Sequence, residues 1–496
     1  MYREAQALTK AGVLKIRWHD RLATEPAPIP DQIDISDKAE GMLLGLAVGD
    51  SLGNTTESLL PQKRSDRYGY IDGYLPNRHA AGQSIGLPSD DTQLAYWTME
   101  QLLANGHLEP QYLGLAFSRR EIFGIGMSVR EFLVNFKSGV PWTHAGSQSA
   151  GNGALMRIAP VLIPYLKHPS SNMWSDALVA AHLTHDDALS NVSCLAFVDL
   201  LWKLIAMRDI PEPSWWLNSF MEISECIEPD KVYQPRSGHP AGFSGTLSQL
   251  IKQYVIPALE NKLSVLEACS QWHSGAYLLE TVPSVLYILA VHGHDPKAAI
   301  LAAVNDTKDN DSIAAIVGAA VGALHGRSAL PVEWIQQLSG RTGASDDGRI
   351  FELLARSGEK FGYGVSDDVM ARVPQGALQR ALLELPEQND APFPDGLPIT
   401  IHSPTLWVKV FGMLCQSWAS IDNMPAGGVR IWFFDDVGTV FDKVDYPMRQ
   451  AARDALRRNG WHVADADFLN IAHHDSTHAW STRGPKHYSS GQYWIR

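Results

Sequence analysis

The sequence predicts an all-α protein with a small α+β domain at its C-terminal end. From residue 37 to about residue 326, apolar residues recur at helical spacing and alternating strand patterns are scarce. Beyond residue 405 the pattern changes, because VRIWFFDD and VGTVFDKV have the composition of β-strands. Between these regions, LPEQNDAPFPDGLPITIHSP is rich in proline and aspartate, which is typical of a linker.

These patterns predict four segments along the chain. Residues 1–36 form an N-terminal extension, in which an amphipathic helix to about residue 22 precedes the extended stretch TEPAPIPDQ. Residues 37–384 form the all-α domain, residues 385–404 the linker, and residues 405–496 the small α+β domain. The last segment is either a structural appendage or a surface that recognises a partner.

Start and stop signals predict the individual helices. Asp37 and Glu40 resemble a capping box before GMLLGLAVGDSLG. Ser89 is placed to cap a helix through LAYWTMEQLL, which Asn105 and Gly106 end. Further helices are predicted at residues 176–204 (with a break near His185), 275–297 and 311–326, and in RIFELLARSGEKFG and YPMRQAARDALRRNG, while GQYWIR has the pattern of a last strand.

Composition restricts the classes of function. The 496 residues carry 54 acidic and 41 basic side chains, a net charge of −13, which opposes binding to nucleic acid or anionic lipid. Cys194, Cys226, Cys269 and Cys415 form no CxxC pair, so a zinc or redox site is not expected. The most apolar stretch, 313–324, is shorter than the roughly 20 residues of a membrane span. We expect a cytoplasmic monomer without a membrane or nucleic-acid partner.

Two acidic motifs stand at predicted helix starts. Aspartates in the first turn of a helix are commonly caps, and SDDT (residues 89–92) and DNDS (residues 309–312) both permit that role. However, DNDS precedes the apolar helix SIAAIVGAAVGALHG, where buried carboxylates need a compensating cation. Oxygen ligands without cysteine or paired histidine favour Mg²⁺ or Mn²⁺. A shared metal site is therefore predicted beside the capping alternative.

Three weaker candidates remain. The run Gly151-Asn152-Gly153 is either a turn or a loop whose N–H groups face an anion. Asp50 lies between glycines with Glu57 nearby, and such acids are often caps or solvated side chains. His185, in HLTHDD, is either structural or catalytic.

Taken together and in this order, these segments resemble the ADP-ribosylglycohydrolase family. The matching segments are GMLLGLAVGDSLGNTTE, SDDTQLAYWTMEQLL, SAGNGALMRIAPV, LTHDDALS, SGAYLLETVPSVLYIL and AVNDTKDNDSIAAIVGAAVGALHG, and they cover residues 37–335. The resemblance implies an all-α bundle around two Mg²⁺ or Mn²⁺ ions.

The resemblance also implies roles for individual residues. The implied metal ligands are Ser89, Asp90, Asp91, Asp309, Asp311 and Ser312. Glu57 corresponds to a glutamate near the metal and the scissile bond, and Glu57, Asp90 and Asp311 are the implied catalytic residues. The implied substrate-binding residues are Ser149, Gly151, Asn152 and Gly153, around the diphosphate and distal ribose, and His185, near the ribose.

The chain departs from the family pattern at two places. Thr307 and Lys308 stand where the family usually has two glycines, and Ala150 stands where some members carry an aromatic residue. A second SDD triplet, in SDDG (residues 345–348), lies outside the matching segments and is predicted to be a loop and helix cap.

The implied activity is metal-dependent cleavage of the glycosidic bond between ADP-ribose and an ADP-ribosylated protein or other acceptor. Two alternatives stay open. One is a non-catalytic ADP-ribose-binding protein whose site is altered around Lys308. The other is a metal-dependent hydrolase of a different nucleotide-like substrate.

Overall fold

The computed structural model describes residues 2–380, 382, 406–412, 415–424, 427–434 and 440–463. The chain divides into two compact units, which are described separately: residues 1–117, 126–132 and 142–385, and residues 118–125, 133–141 and 386–496. The predicted fold class is confirmed, because the chain is mainly helical and a small antiparallel sheet lies in its C-terminal region.

The helices follow one another with short connections. In chain order they are α1 (Tyr2–Lys10), α2 (Ile35–Gly53), α3 (Pro61–Tyr68), α4 (Asp90–Asn105), α5 (Pro110–Ser118), α6 (Met127–Lys137), α7 (Trp142–Ala145), α8 (Asn172–Thr184), α9 (Ala188–Ala206), α10 (Pro213–Ile227), α11 (Leu247–Leu250), α12 (Ile256–Glu260), α13 (Val265–Trp272), α14 (Leu278–His292), α15 (Pro296–Asp306), α16 (Asn310–His325), α17 (Val332–Gln337), α18 (Arg349–Lys360), α19 (Asp367–Arg372) and α20 (Arg449–Arg458).

Helices α2 and α16 pack against each other backbone to backbone at the centre of the first unit. Glycines recur at every fourth position of α2, and a Cβ added at Gly45 or Gly49 would overlap a carbonyl oxygen of α16. The pairing is antiparallel, because Gly41 faces Gly322 whereas Gly53 faces the first turn of α16. This close approach brings the end of α2 next to the start of α16, where the DNDS motif lies.

Several predicted helix boundaries need correction. The first helix ends at Lys10 rather than near residue 22, and Gly12 follows with a positive φ of 74°. Helix α2 begins at Ile35, because the Asp34 side chain accepts the Asp37 N–H; Asp37 and Glu40 therefore do not form the predicted capping box. The helix predicted at 311–326 is confirmed as α16. Helix α15, which precedes it, was not predicted.

The other helix predictions hold, with small shifts. Gly106, with φ of 81°, ends α4 as predicted, and the break near His185 separates α8 from α9. Helix α9 is long and apolar enough to cross a membrane, but 94% of its most apolar 18-residue window is buried inside the protein. The SDDG segment is a loop whose Asp347 accepts the Arg349 N–H at the start of α18, as predicted.

The second unit contains a five-stranded antiparallel sheet. Its strands are β1 (Leu406–Gly412), β2 (Cys415–Asn423), β3 (Val429–Phe434), β4 (Val440–Tyr446) and β5 (His462–Val463), in the spatial order β4-β3-β2-β1-β5. Strands β3 and β4 confirm the predicted pair, and α20 packs on them. Trp461 contacts Phe433 in its core, with ring centroids 5.3 Å apart. The whole predicted linker at 385–404 and the segment GQYWIR lie outside the described residues.

Candidate metal and active site

Asp50, in the last turn of α2, holds the start of α4. Its carboxylate accepts hydrogen bonds from the backbone N–H and hydroxyl of Ser89, at 2.9 and 2.6 Å, and from those of Thr92, at 3.1 and 2.5 Å. Ser89 is the N-terminal cap residue of α4, but its hydroxyl makes no capping bond and donates to Asp50 instead. The sequence singled out Asp50 without assigning it a role, and the structure makes it the anchor of the SDDT motif.

The two acidic motifs meet at the junction of α2, α4 and α16. Carboxylate oxygens of Asp50, Asp91 and Asp311 lie within 4.8 Å of one another. Oxygens of Glu57, Asp309 and Asp311 form a second group of the same size. Asp311 belongs to both groups, so one continuous acidic cluster joins Glu57 to the SDDT and DNDS motifs.

The carboxylates of this cluster are unfavourable as charged groups in their buried surroundings. Burial, together with repulsion between the carboxylates, raises the pKa of Asp90, Asp91 and Asp311 well above its ordinary value. Asp91 Oδ1 is buried and accepts no hydrogen bond within the part of the chain that the structure describes. A divalent cation would neutralise these charges and give that oxygen a partner, so the donor set fits such an ion.

Glu57 differs from the aspartates because part of its side chain reaches solvent, although its carboxylate lies within 4.8 Å of those of Asp309 and Asp311. Loss of solvation within the site, followed by the negative charges of Asp309 and Asp50, raises the pKa of Glu57 to about 8. A carboxyl group at the edge of the cluster that solvent can reach can exchange protons with a substrate or water.

The DNDS motif is held in place by the glycine loop. The Asn152 amide donates to Asp309 Oδ2 at 2.6 Å and to Thr281 Oγ1 at 3.1 Å. Burial raises the pKa of Asp309, and the hydrogen bond from Asn152 opposes that rise. Ser312 also contributes, because its nearby hydroxyl opposes the rise in the pKa of Asp91 and Asp309. Asn152, implied as a substrate-binding residue, thus also orients a carboxylate of the acidic cluster.

A strained turn supports the same motif from the other side. His273 and Ser274 have positive φ angles of 76° and 49°, which cost free energy in residues other than glycine. The Ser274 carbonyl oxygen accepts the Asp309 N–H at 3.0 Å, and its hydroxyl accepts the Lys308 N–H at 3.1 Å. The turn therefore fixes the backbone at the start of α16, and no local sequence pattern identifies it.

Arg64 links the Glu57 loop to the segment before α16. This buried arginine donates to Thr56 Oγ1 at 3.0 Å and to the Thr307 carbonyl oxygen at 2.7 Å. Burial lowers the pKa of Arg64 to about 10, so it stays charged at neutral pH. Thr307, with φ of −119°, adopts an extended conformation that does not require the glycine usual in the family.

Lys308 lies beside the acidic cluster. Its ammonium group donates to His273 Nε2 at 3.0 Å, and its positive charge opposes the rise in the pKa of Asp309. A cation at this position repels a divalent ion bound by the neighbouring carboxylates.

Replacing Lys308 by methionine is expected to tighten divalent-cation binding, because the side-chain stem stays while the repelling charge is lost. We expect three- to tenfold tighter binding of Mn²⁺ in titration calorimetry, where about tenfold equals about 1.4 kcal/mol. Lys167→Met, an exposed lysine on another loop, is the matched control and should leave the affinity unchanged. Weaker binding in Lys308→Met would show instead that the ammonium group supports Asp309.

The glycine loop is fixed on two sides. Gly151 pairs with Tyr277 in an antiparallel bridge, and the Asn152 N–H donates to the Ala276 carbonyl oxygen at 3.0 Å. On the other side the His185 ring lies so close that a Cβ at Gly153 would be 3.0 Å from it. The Ser149 hydroxyl accepts the Gly151 N–H at 3.2 Å. Of the residues implied to bind substrate, Ser149 and Gly151 to Gly153 therefore form one loop next to the acidic cluster, and His185 packs against that loop.

Comparison with known proteins decides the family. The family model described as ADP-ribosylglycohydrolase matches residues 31–361, more than half of the chain. This chain belongs to the ADP-ribosylglycohydrolase family. The resemblance found in the sequence motifs is thereby confirmed, and the match includes both acidic motifs, Glu57, the glycine loop and His185.

This chain is similar to two hydrolases of the family. It is 28% identical over 317 residues to the ADP-ribosylarginine hydrolase Tri1 of Pseudomonas putida, covering 61% of this chain and 74% of the relative. It is 25% identical over 329 residues to the ADP-ribosyl-dinitrogen-reductase glycohydrolase of Rhodospirillum rubrum, covering 65% and 98%. A solved structure titled ADP-ribosylglycohydrolase-related protein complex shares the fold, with a TM-score of 0.50 and 23% identity over 67% of this chain and 99% of the other.

Proposed function

We propose that this protein is a metal-dependent hydrolase that cleaves the glycosidic bond between ADP-ribose and a modified acceptor. Family membership supports an enzyme that hydrolyses ADP-ribose linkages. The observation that carries the proposal is the convergence of Glu57 and the two acidic motifs into one cluster that fits divalent cations. The intact acidic cluster argues against a binding protein that has lost its catalytic groups.

In this proposal the metal ligands are the residues implied by the family, namely Ser89, Asp90, Asp91, Asp309, Asp311 and Ser312. We propose two ions, Mg²⁺ or Mn²⁺, as the family resemblance implies, and Asp311 lies between Asp91 on one side and Asp309 with Glu57 on the other. Divalent cations at such a site polarise sugar oxygens and lower the pKa of water. Asp50 keeps the first motif in register through its hydrogen bonds to Ser89 and Thr92.

Glu57 is the proposed group that moves a proton during cleavage. Hydrolysis adds the hydroxyl of water to the anomeric carbon and the remaining proton to the leaving group, through a transition state with oxocarbenium character. Glu57 either accepts the proton from water or gives one to the leaving atom, and its accessible position permits both roles. The glycine loop and His185, on the other side of the cluster, are proposed to hold the diphosphate and the distal ribose.

Product analysis tests this proposal. The full-length protein is incubated with Mg²⁺ or Mn²⁺ and a panel of substrates carrying ADP-ribose on arginine, serine, a nucleic-acid base or a small molecule. Release of free ADP-ribose supports the proposal and identifies the acceptor. Binding of ADP-ribose without any release would identify a binding protein, and release of a different product from other nucleotides would identify the alternative hydrolase.

A variant that ends at residue 384 is expected to keep cleavage of a small ADP-ribosylated compound. The family match ends at residue 361 and every proposed site residue precedes residue 327, which supports the proposal that the chemistry does not need residues 405–496. If that segment recognises the acceptor, the variant loses rate only on its macromolecular target. Circular dichroism and a melting curve first establish that the variant is folded. A folded variant that binds metal but cleaves no substrate would contradict this placement of the chemistry.

We also propose a cytoplasmic location. The three cysteines whose side chains are described, Cys194, Cys226 and Cys269, are free, as expected for a protein in a reducing compartment.

A further inference from the structure

A buried arginine lies behind His185. Arg157 follows the glycine loop in the sequence and is 0% exposed. Its Nη2 atom donates to the Ala180 carbonyl oxygen at 2.9 Å and to Thr184 Oγ1 at 2.7 Å. These two bonds use both protons of Nη2, and within the described residues no carboxylate forms an ion pair with Arg157. The guanidinium group is therefore directed at polar neutral atoms instead of an acid.

The hydroxyl of Thr184 joins Arg157 to His185. Arginine can only donate, so Thr184 Oγ1 must accept the bond from Arg157. The hydroxyl has one proton of its own, and its other polar neighbour is His185 Nδ1 at 2.9 Å. Because a buried hydroxyl proton without an acceptor costs free energy, Thr184 donates this proton to Nδ1. Nδ1 then carries no proton, and the proton of the neutral imidazole is on Nε2.

The surroundings keep this imidazole neutral. Burial, with the positive charges of Arg157 and Arg236, lowers the pKa of His185 to about 3. His185 thus presents one donor, Nε2–H, over the whole physiological range of pH, and does not act as a cation.

The Nε2 atom faces a small polar niche over Gly151. A Cβ built on Gly151 would lie 3.6 Å from His185 Nε2, 3.4 Å from Ser149 Oγ and 3.7 Å from Ser128 Oγ. Ser149 Oγ already accepts the Gly151 N–H, so its own proton is available to a ligand. Three donors therefore surround one point that the absence of a side chain at Gly151 leaves open.

We propose that Arg157 and Thr184 fix neutral His185 in its Nε2–H tautomer, so that His185, Ser128 and Ser149 donate hydrogen bonds to one phosphate oxygen of the substrate over Gly151. This inference rests on the proposed function, since it assumes a substrate with a diphosphate. A phosphate oxygen accepts all three bonds, whereas a sugar hydroxyl would also need an acceptor for its own proton. Arg157 and Thr184 are positioning residues, and Ser128 is a binding residue that the sequence analysis did not identify.

The tautomer of His185 in the full-length protein is the first test. Long-range ¹H–¹⁵N correlation spectra of protein labelled with ¹⁵N-histidine distinguish the two tautomers, and the His185→Asn variant assigns the signal. We expect the Nε2–H pattern between pH 6 and pH 8. An Nδ1–H pattern, or a protonated ring in this range, would overturn the inference without bearing on whether the protein is a hydrolase.

Variants then test the consequence for binding, with ADP-ribose as the probe in titration calorimetry. Thr184→Val should lose the single-tautomer pattern and bind ADP-ribose about tenfold more weakly, and Thr184→Ser should restore both. Ser128→Ala should weaken binding three- to tenfold. Thr98→Val is the matched control, because this buried hydroxyl bonds only to its own helix at the Leu94 carbonyl oxygen.

The outcomes distinguish a failure of the proposed function from a failure of this inference. Wild-type protein that binds no ADP-ribose would contradict the proposed function. Wild-type protein that binds ADP-ribose, with folded Thr184→Val and Ser128→Ala variants of unchanged affinity, would overturn this inference and leave the proposed function intact.

Discussion

Replacing Asp311 by asparagine is expected to lower the rate of ADP-ribose release more than about 100-fold and to abolish the stabilisation that divalent cations give. Asp311 is the one aspartate whose oxygens belong to both groups of the acidic cluster in the described structure. Removing its charge weakens both positions for a cation at once. Even substitutions of residues that only support the metal ligands lower metal affinity or activity about 10–100-fold. The measurement is kcat together with the melting temperature at increasing Mn²⁺.

The same variant should be more stable than the wild type when chelator is present. Burial and the charges of Glu57, Asp91 and Asp309 raise the pKa of Asp311, so this carboxylate destabilises the metal-free fold at neutral pH. Asparagine removes that penalty. Asp347→Asn, in the SDD triplet outside the cluster, is the matched control and should keep the metal response. An Asp311→Asn variant whose melting temperature in chelator is lower than that of the wild type, and still rises with Mn²⁺, would contradict the metal assignment.

Replacing Glu57 by glutamine is expected to lower kcat by about 10²–10⁴, the usual contribution of a general acid or base. The amide keeps the size of the side chain but cannot transfer the proton. Because the aspartates of both motifs remain, we expect ADP-ribose affinity within about threefold of wild type and a retained rise in melting temperature with Mn²⁺. Single-turnover kinetics and titration calorimetry measure these two quantities.

Glu109→Gln is a control for this substitution, since Glu109 is an exposed glutamate bonded to His107. Its kcat should equal that of the wild type. If Glu57→Gln kept more than half of the wild-type kcat, Glu57 would not be the group that moves the proton.

The two acidic motifs could be identified from the sequence because the residues of each motif are adjacent in the chain. Two runs of aspartate at the starts of apolar helices indicate buried carboxylates, and the structure brings oxygens of Asp91 and Asp311 within 4.8 Å of each other. The glycine at every fourth position of α2 could also have been recognised, because such a row indicates close helix packing. That packing is what joins Asp50 to the DNDS motif.

Other parts of the site depend on contacts between residues far apart in the chain. Arg64 bonds to the carbonyl oxygen of Thr307, and Asn152 bonds to Asp309, although 243 and 157 positions separate them. His273 and Ser274 have positive φ angles in the turn that supports α16, and neither residue type signals such a conformation. The end of α1 at Lys10 was missed because Gly12 adopts a left-handed conformation. The start of α2 at Ile35 was missed because Asp34 caps that helix.

The central claim is that divalent cations in the acidic cluster are required to release ADP-ribose from a modified acceptor. The most direct measurement follows free ADP-ribose from an ADP-ribosylated protein after the enzyme has been stripped with chelator, with its metal content determined by mass spectrometry. The account predicts no release by the stripped enzyme and full recovery after addition of Mg²⁺ or Mn²⁺. Release at the full rate in excess chelator, by enzyme verified to contain no metal, would contradict it.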